Sequence, residues 1–409
     1  MKIAFYVTNS NISSVDVSNV EYGNPGIGGS EYSAILIITL LSKLKLYEIV
    51  LLCDSPGIFP KEVIWKACND IDGAVQHCES NSFEFLVLDS KLITKNFLIN
   101  YRNIKFIAWA NCFLDSKQLD LFSKQPNLVR IVNVSKKQFE ISKNHSISQK
   151  SCFIFNAVPS KFLDNYNYQI IPNRFREPNV VYIGSLISSK GFHILAKIWP
   201  EVIKVVPNAK LFVIGSGKLY GRNAKVGKWG IAEKKYESLF MKYLTSIDGK
   251  MLESVSFMGI LGLEKYDLLR KCKVGVPNPS GISETFGYTA VEMQLMDCLV
   301  TTIDCPAYRD TVYDKSSLYS NVDELKDFLI QHLLSQKDLH TEMLNYINEF
   351  SVDKITSEWV RFFSKLANSN IDINSKYNTL NFLVTSSLYS INKSYKKTKK
   401  TLKSFIYNL

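Results

Sequence analysis

The chain is poor in the patterns that mark several classes of protein. None of its eight cysteines, at 53, 68, 78, 112, 152, 272, 298 and 305, forms a CxxC pair. With 409 residues the chain also needs no covalent staples, so reduced thiols in a cytoplasmic protein are expected. The five histidines show no HExxH or related spacing, and no metal site is expected from them. No apolar run approaches the ~20 residues that span a bilayer; residues 34–41 (AILIITLL) are typical of the longest. The opening MKIAFYVTNS is too brief for a signal-peptide core and reads as a first strand. Asp70-Ile71-Asp72 has the DxD spacing that can hold a metal–nucleotide complex, but it follows IWKACN, which reads as helix rather than strand. A solvated turn is the expectation there.

What is present describes a folded chain. Hydrophobic residues make up 46% and aromatic residues 12%, enough for full-sized cores, and the length suits two domains most simply. The net charge is +11, but residues 373–409 hold seven lysines and no acid, so the body is only mildly basic. That tail ends in SLYSINKSYKKTKKTLKSFIYNL, where lysine alternates with Leu, Ile, Tyr and Phe. Such a pattern suits a helix lying on an anionic membrane, at about 1 kcal/mol per basic residue. A frayed, solvated terminus reads equally well. Nucleic acid fits less well, because no RRM, KH or zinc-finger pattern accompanies the charge.

The first half runs through the strand-like segments KIAFYVT, EIVLLCD, FEFLVLDS, IKFIAWA, LVRIVNVS and KSCFIFNAV, with a helical run YSAILIITLLSKL after the first. These strands are nearly continuously apolar, as expected when both faces of a parallel sheet are covered. The same grammar restarts after residues 171–174 (IPNR): NVVYIGSL, a helix FHILAKIWPEVIKVV, KLFVIGSG, VSFMGIL, CKVGVPN, a helix from about Tyr288, then CLVTTID. The fold class is α/β, with two doubly wound domains meeting near residue 172. The expected division is residues 1–171, residues 172–350, a closing helix at 351–367 and the basic tail at 368–409. Ligands of such sheets bind beyond the carboxyl ends of the strands, which places the site in the cleft between the domains.

Residues 279–310 (PSGISETFGYTAVEMQLMDCLVTTIDCPAYRD) are the most informative. Glu284 and Glu292 stand eight apart, with Phe286, Gly287 and Tyr288 between them. A helix beginning near residues 287–289 offers free N–H groups and the positive end of its dipole to a phosphate. Carboxylates flanking that anion site would meet sugar hydroxyls, not phosphate. On spacing alone, a dipole-stabilising acid and a surface charge explain the two glutamates as well. Lys190, in SSKG after the strand VVYIGSL, stands where a cation can neutralise a diphosphate. Gly215-Ser216-Gly217 closes the strand KLFVI, and Gly28-Gly29-Ser30-Glu31 opens the first helix. Each permits close backbone approach to a ligand, or merely a tight turn.

Taken in order, GGSE before a helix, VNVSKKQFE, FNAVP, VVYIGSL–SSKG, LFVIGSG, VSFMGIL and SETFGYTAVE resemble the retaining glycosyltransferases of the GT-B fold that carry a Glu-x7-Glu motif, group 1 of family 4 type. The resemblance runs from residue 1 to about 367, where SVDKITSEWVRFFSKL is similar to the family's closing helix. It implies a nucleotide-diphosphate-sugar donor held mainly by the second domain, and no metal cofactor. By the same resemblance Glu284 meets the donor sugar and Glu292 the ribose. Phe286, Gly287 and Tyr288 form the phosphate-binding turn, and Lys190 clamps the diphosphate. Gly28 and Gly29 approach it from the first domain, Gly217 lines the site, and Ile260 contacts the base. Three positions depart from the pattern. Ser185 stands where the family often has arginine, so a second diphosphate cation is missing or comes from Arg222 or Lys218. Asn111 stands where many members carry histidine; it can bind a hydroxyl but cannot act as acid or base. Cys298 replaces a usual glycine.

The expected activity is transfer of a hexose, with retention of configuration, to a glycan or lipid-linked acceptor in surface polysaccharide or glycoconjugate biosynthesis. Lys190, Glu284 and Asn111 are the expected catalytic residues. The enzyme would work in the cytoplasm, with the tail reaching the inner face of the membrane. The alternative is a catalytically silent subunit of the same fold that binds sugar or a partner glycosyltransferase.

Overall fold

The computed structural model describes residues 1–159 and 171–368. The basic tail and its proposed membrane contact lie outside the described residues. Among the described residues, no helix is long and apolar enough to cross a membrane.

The first lobe is a seven-stranded sheet in which every pairing is parallel. Its strands are β1 (Lys2–Val7), β2 (Glu48–Cys53), β3 (Ile64–Ala67), β4 (Phe85–Asp89), β5 (Lys105–Ala110), β6 (Leu128–Asn133) and β7 (Ser151–Phe153), in the order β3-β2-β1-β4-β5-β6-β7. The apolar runs of the sequence are these strands. Ile3–Val7, Ile49–Cys53 and Phe106–Ala110 are buried on both faces because helices cover both sides.

The second lobe repeats the plan with five parallel strands: β8 (Asn179–Ile183), β9 (Lys210–Ile214), β10 (Val255–Gly259), β11 (Val274–Gly275) and β12 (Leu299–Val300), in the order β10-β9-β8-β11-β12. CLVTTID is not one strand. β12 ends at Val300, and β13 (Thr302–Ile303) leaves the sheet to pair with β14 (Leu318–Tyr319).

One segment differs from its sequence reading. IWKACN is not helical: β3 lies in it, paired in parallel with Val50–Cys53. As the outermost strand β3 leaves Ile64 and Trp65 exposed, so it lacks the buried run that betrays the inner strands. Asp70 is likewise no free turn residue. It caps the helix Ile71–Ser80, its carboxylate accepting from the Gly73 N–H at 2.8 Å.

The two lobes share a seam of aromatic rings. Phe286 of the second lobe meets Phe155 of the first at 6.3 Å between centroids, and both touch Phe350. The last described helix, Val352–Asn368, then lies on the first lobe, where Trp359 meets Phe5 and Trp109. Its Ser364 hydroxyl bonds with the Tyr47 hydroxyl at 2.9 Å.

Candidate active site between the lobes

In each sheet the strand order reverses once, between β1 and β4 and between β8 and β11. At such a switch point the loops leave in opposite directions and open a crevice beyond the strand ends. Lys190 and Glu284 follow β8 and β11 at the second of these places, and Gly28 and Gly29 follow β1 at the first.

On the second lobe, β8 leads to a short turn, Ser188–Lys190, closed by Gly191 in the left-handed region (φ 69°). A Cβ at Gly191 would stand 2.6 Å from the Ser280 nitrogen, so only glycine lets this turn touch the loop after β11. That contact brings Lys190 to Glu284, with Nζ 2.8 Å from Oε2. The Asn278 amide also donates to Oε2, at 2.8 Å. Burial alone would push the Glu284 carboxyl up, but the Lys190 ammonium, Asn278 and the Gly287 N–H outweigh it and hold the carboxyl below the usual range. Burial likewise opposes the charge on Lys190, and Glu284 with Tyr220 and Cys112 together outweigh it, raising the ammonium's pKa. Both groups are charged at neutral pH.

Gly287 (φ 82°) is the cap from which the helix Tyr288–Leu295 starts. A Cβ there would lie 2.7 Å from the Tyr308 ring. Gly28 and Gly29 face this helix start from the first lobe, where the helix Gly29–Leu44 begins. A Cβ on Gly29 would touch the Tyr288 ring at 3.3 Å, and one on Gly28 would reach Tyr220 at 3.3 Å. Asn111 arrives at the end of β5. Its carbonyl accepts from the Thr285 hydroxyl at 2.7 Å, and its amide makes a long contact with Asp89 Oδ2 at 3.5 Å. Lys190, Glu284, Asn111, Gly28, Gly29, Gly287 and Tyr288 therefore stand around one interlobe crevice.

Other predicted residues stand elsewhere or are already engaged. Ser185 is buried, and its hydroxyl donates to the Ser216 carbonyl at 3.3 Å, tying the ends of β8 and β9 together. Gly217 faces protein: a Cβ there would lie 2.9 Å from Ala232 Cα. The Phe286 side chain is buried in the aromatic seam against Phe155 and Phe350. Ile260 lies against Gly26 of the first lobe. Glu292 is buried, with Lys265 Nζ at 2.7 Å and the Tyr266 hydroxyl at 3.0 Å on its Oε1. Cys298 is buried beneath Arg176, and its thiol is pushed up to about 12 by burial. Nothing there gives it a functional role.

The structure adds groups that the sequence did not single out. Asn278 sits just past β11 and signals itself only as a polar residue at a strand end. Tyr220 is coupled electrostatically to Lys190, Glu284 and Glu31. On the first lobe, a small cavity beyond β1, β4 and β5 has Glu31, Asp89, Lys91 and Asn111 in its lining beside apolar residues such as Phe5, Val87 and Trp109. Asp89 and Lys91 pair there at 3.6 Å. Among the described residues, no cluster of three or more His, Cys, Asp or Glu is arranged to hold a metal ion.

Comparison with known proteins agrees with this fold. Residues 177–335 match the family Glycosyl transferases group 1. No curated protein matches the chain by sequence. Among solved structures, a glycosyltransferase from Rickettsia africae superposes with a TM-score of 0.63 at 13% identity, covering 90% of this chain and 99% of that one. HepE of Anabaena, solved with UDP, superposes at 0.59 and 14% identity, covering 89% of this chain and 100% of its own. AviGT4, a glycosyltransferase of avilamycin A biosynthesis, does so at 0.60 and 13%, covering 90% and 99%. The chain has the GT-B fold, two Rossmann-like sheets facing across a crevice, and its second lobe carries the match to the group 1 glycosyltransferases.

Proposed function

We propose that the protein is a retaining glycosyltransferase that moves a hexose from a nucleotide-diphosphate-sugar to a hydroxyl of a glycan or lipid-linked acceptor. The observation that carries this reading is the Lys190–Glu284 pair at the switch point of the second sheet, facing Gly28 and Gly29 across the crevice. Breaking the anomeric C–O bond builds negative charge on the departing diphosphate. In this reading Lys190 and the N–H groups at the start of the helix Tyr288–Leu295 receive that charge. Glu284, held ionised, accepts hydrogen bonds from the sugar hydroxyls and fixes the anomeric carbon.

Glu284 is occupied by Lys190 and Asn278, and Asn111 has no acid–base function near neutral pH. No carboxylate in this set is free to attack the sugar as a nucleophile. The acceptor therefore attacks the face that the diphosphate leaves, and a departing phosphate oxygen takes the acceptor's proton. In this reading Asp89, Lys91 and Glu31, which line the first-lobe cavity beside Asn111, orient that acceptor at its mouth. Lys190 and the helix start supply the positive field, so the proposed reaction needs no bound metal, and a chelator should leave turnover unchanged.

HepE binds UDP in its crystal, which makes a uridine donor the first to try here. A panel of UDP-, GDP-, ADP- and dTDP-sugars, read by release of nucleoside diphosphate with and without glycan acceptors, tests the proposal. Release from one donor, abolished in Lys190→Ala, is the expected result. Binding of a donor with no release under any acceptor would instead indicate a subunit that recognises sugar nucleotides without transferring them.

A further inference from the structure

This inference rests on the reading of the crevice as a nucleoside-diphosphate site. It begins with a charge count. Lys190 is the cation beside Glu284, and the carboxylate already neutralises it at 2.8 Å. A diphosphate bearing a charge on each phosphoryl group needs more positive charge than that one ammonium can offer while it also holds Glu284. The end of β8 offers none, because Ser185 is buried and its hydroxyl is committed to Ser216.

The loop after β9 does. Arg222 reaches across the crevice, where its guanidinium NH2 donates to the Gly26 carbonyl of the first lobe at 3.0 Å. Its Nε is buried and has no hydrogen-bond partner. Among the described residues, no carboxylate stands within ion-pair distance of this guanidinium. A guanidinium partly withdrawn from water, without a counter-charge and with one N–H unmatched, is costly unless an anion joins it. The same loop carries Tyr220, which abuts Gly28 and is close enough to Lys190 and Glu284 to interact with both electrostatically, so Arg222 lies near that pair and not on a distant surface. The planar fork of arginine also matches phosphate oxygens in a way a lysine ammonium does not.

We propose that Arg222 is the second cation of the diphosphate site: one edge of its guanidinium holds the Gly26 carbonyl and the Nε edge binds a phosphate oxygen. Lys190 and Arg222 then grip the diphosphate from the ends of two neighbouring strands, β8 and β9.

Calorimetric titration tests this with UDP, GDP, ADP and dTDP and with the matching nucleosides. The wild-type chain should prefer one diphosphate over its nucleoside. Arg222→Ala should lose about 10–100-fold of that preference, the worth of one charge-assisted hydrogen bond, while nucleoside affinity stays unchanged and thermal unfolding shifts by no more than the loss of the Gly26 hydrogen bond. Arg222→Lys should recover only part of it. Equal diphosphate affinity in the wild type and Arg222→Ala overturns the assignment of Arg222 alone. A wild-type chain that binds none of the four diphosphates overturns the reading of the crevice itself.

Discussion

Glu284 and Glu292 stand eight residues apart and each is met by a lysine, yet their surroundings differ. The Lys190–Glu284 pair keeps 21% and 15% of its side chains exposed and opens onto the crevice, whereas Lys265–Glu292 keeps 4% and 5% and is sealed in the seam between the lobes. There Lys265 also donates to the Asn24 carbonyl of the first lobe, at 3.4 Å. The first pair is partly exposed to water, and the proposed reaction has it trade its partner for a ligand. The second lies within the second lobe, buried, with its lysine also held by Asn24, and has no such freedom. A motif that looks symmetrical in sequence thus combines a pair suited to binding with a pair suited to holding the protein together.

The comparison breaks most sharply at Lys265. Lys265→Ala leaves a buried carboxylate without its cation and should cost about 3–5 kcal/mol in urea unfolding. The double variant Lys265→Met/Glu292→Leu removes both charges and should recover most of that loss. A cost under about 1 kcal/mol for the single variant would mean that the pair is not sealed. Lys190→Ala should show the opposite balance: turnover falls 10²–10³-fold, as on losing one oxyanion donor, while stability drops by only about 1 kcal/mol because crevice water replaces the ammonium. Near-normal turnover in that variant would remove the mechanism.

Gly287→Ala isolates the backbone from both charges. Its left-handed φ of 82° and the Tyr308 ring at 2.7 Å predict a loss of about 1–3 kcal/mol in thermal unfolding. A pH series sharpens the contrast further. The Glu284 carboxyl is held below its unfolded value, so the stability it contributes is present above the ordinary carboxylate range and fades as pH falls through the lowered value. The difference in stability between wild type and Glu284→Gln should therefore be constant near neutrality and close in acid; a difference that grew on acidification would contradict the assigned pair. The smallest effect belongs to Ser185→Ala, which removes one buried hydroxyl bond worth about 1 kcal/mol and should leave turnover alone.

The inner strands were legible because parallel strands covered on both faces must be apolar throughout, and Ile49–Cys53 or Phe106–Ala110 admits no other reading. β3 was not, because an edge strand with one uncovered face has no such run, and IWKA looks like any short mixed segment. Lys190 and Glu284 could be singled out because a strand end followed by glycine is a common address for phosphate and hydroxyl ligands. Ser185 and Phe286 could not be placed from sequence. Whether a side chain at a strand end or helix start faces the crevice or the interior is set by what packs behind it, here Ser216 and Phe350. Lys265 carried no signal at all, because its partner lies 27 residues away and nothing local requires a cation there.

Alternation of apolar strands and helices, with glycines at the strand ends, determined two doubly wound sheets from sequence alone, since local conformation and burial pattern are properties of short segments. Which lysine serves which glutamate was decided by the packing of the second lobe, and that Arg222 reaches Gly26 by the approach of the two lobes, because ion pairs and contacts depend on distances between residues that the chain keeps far apart.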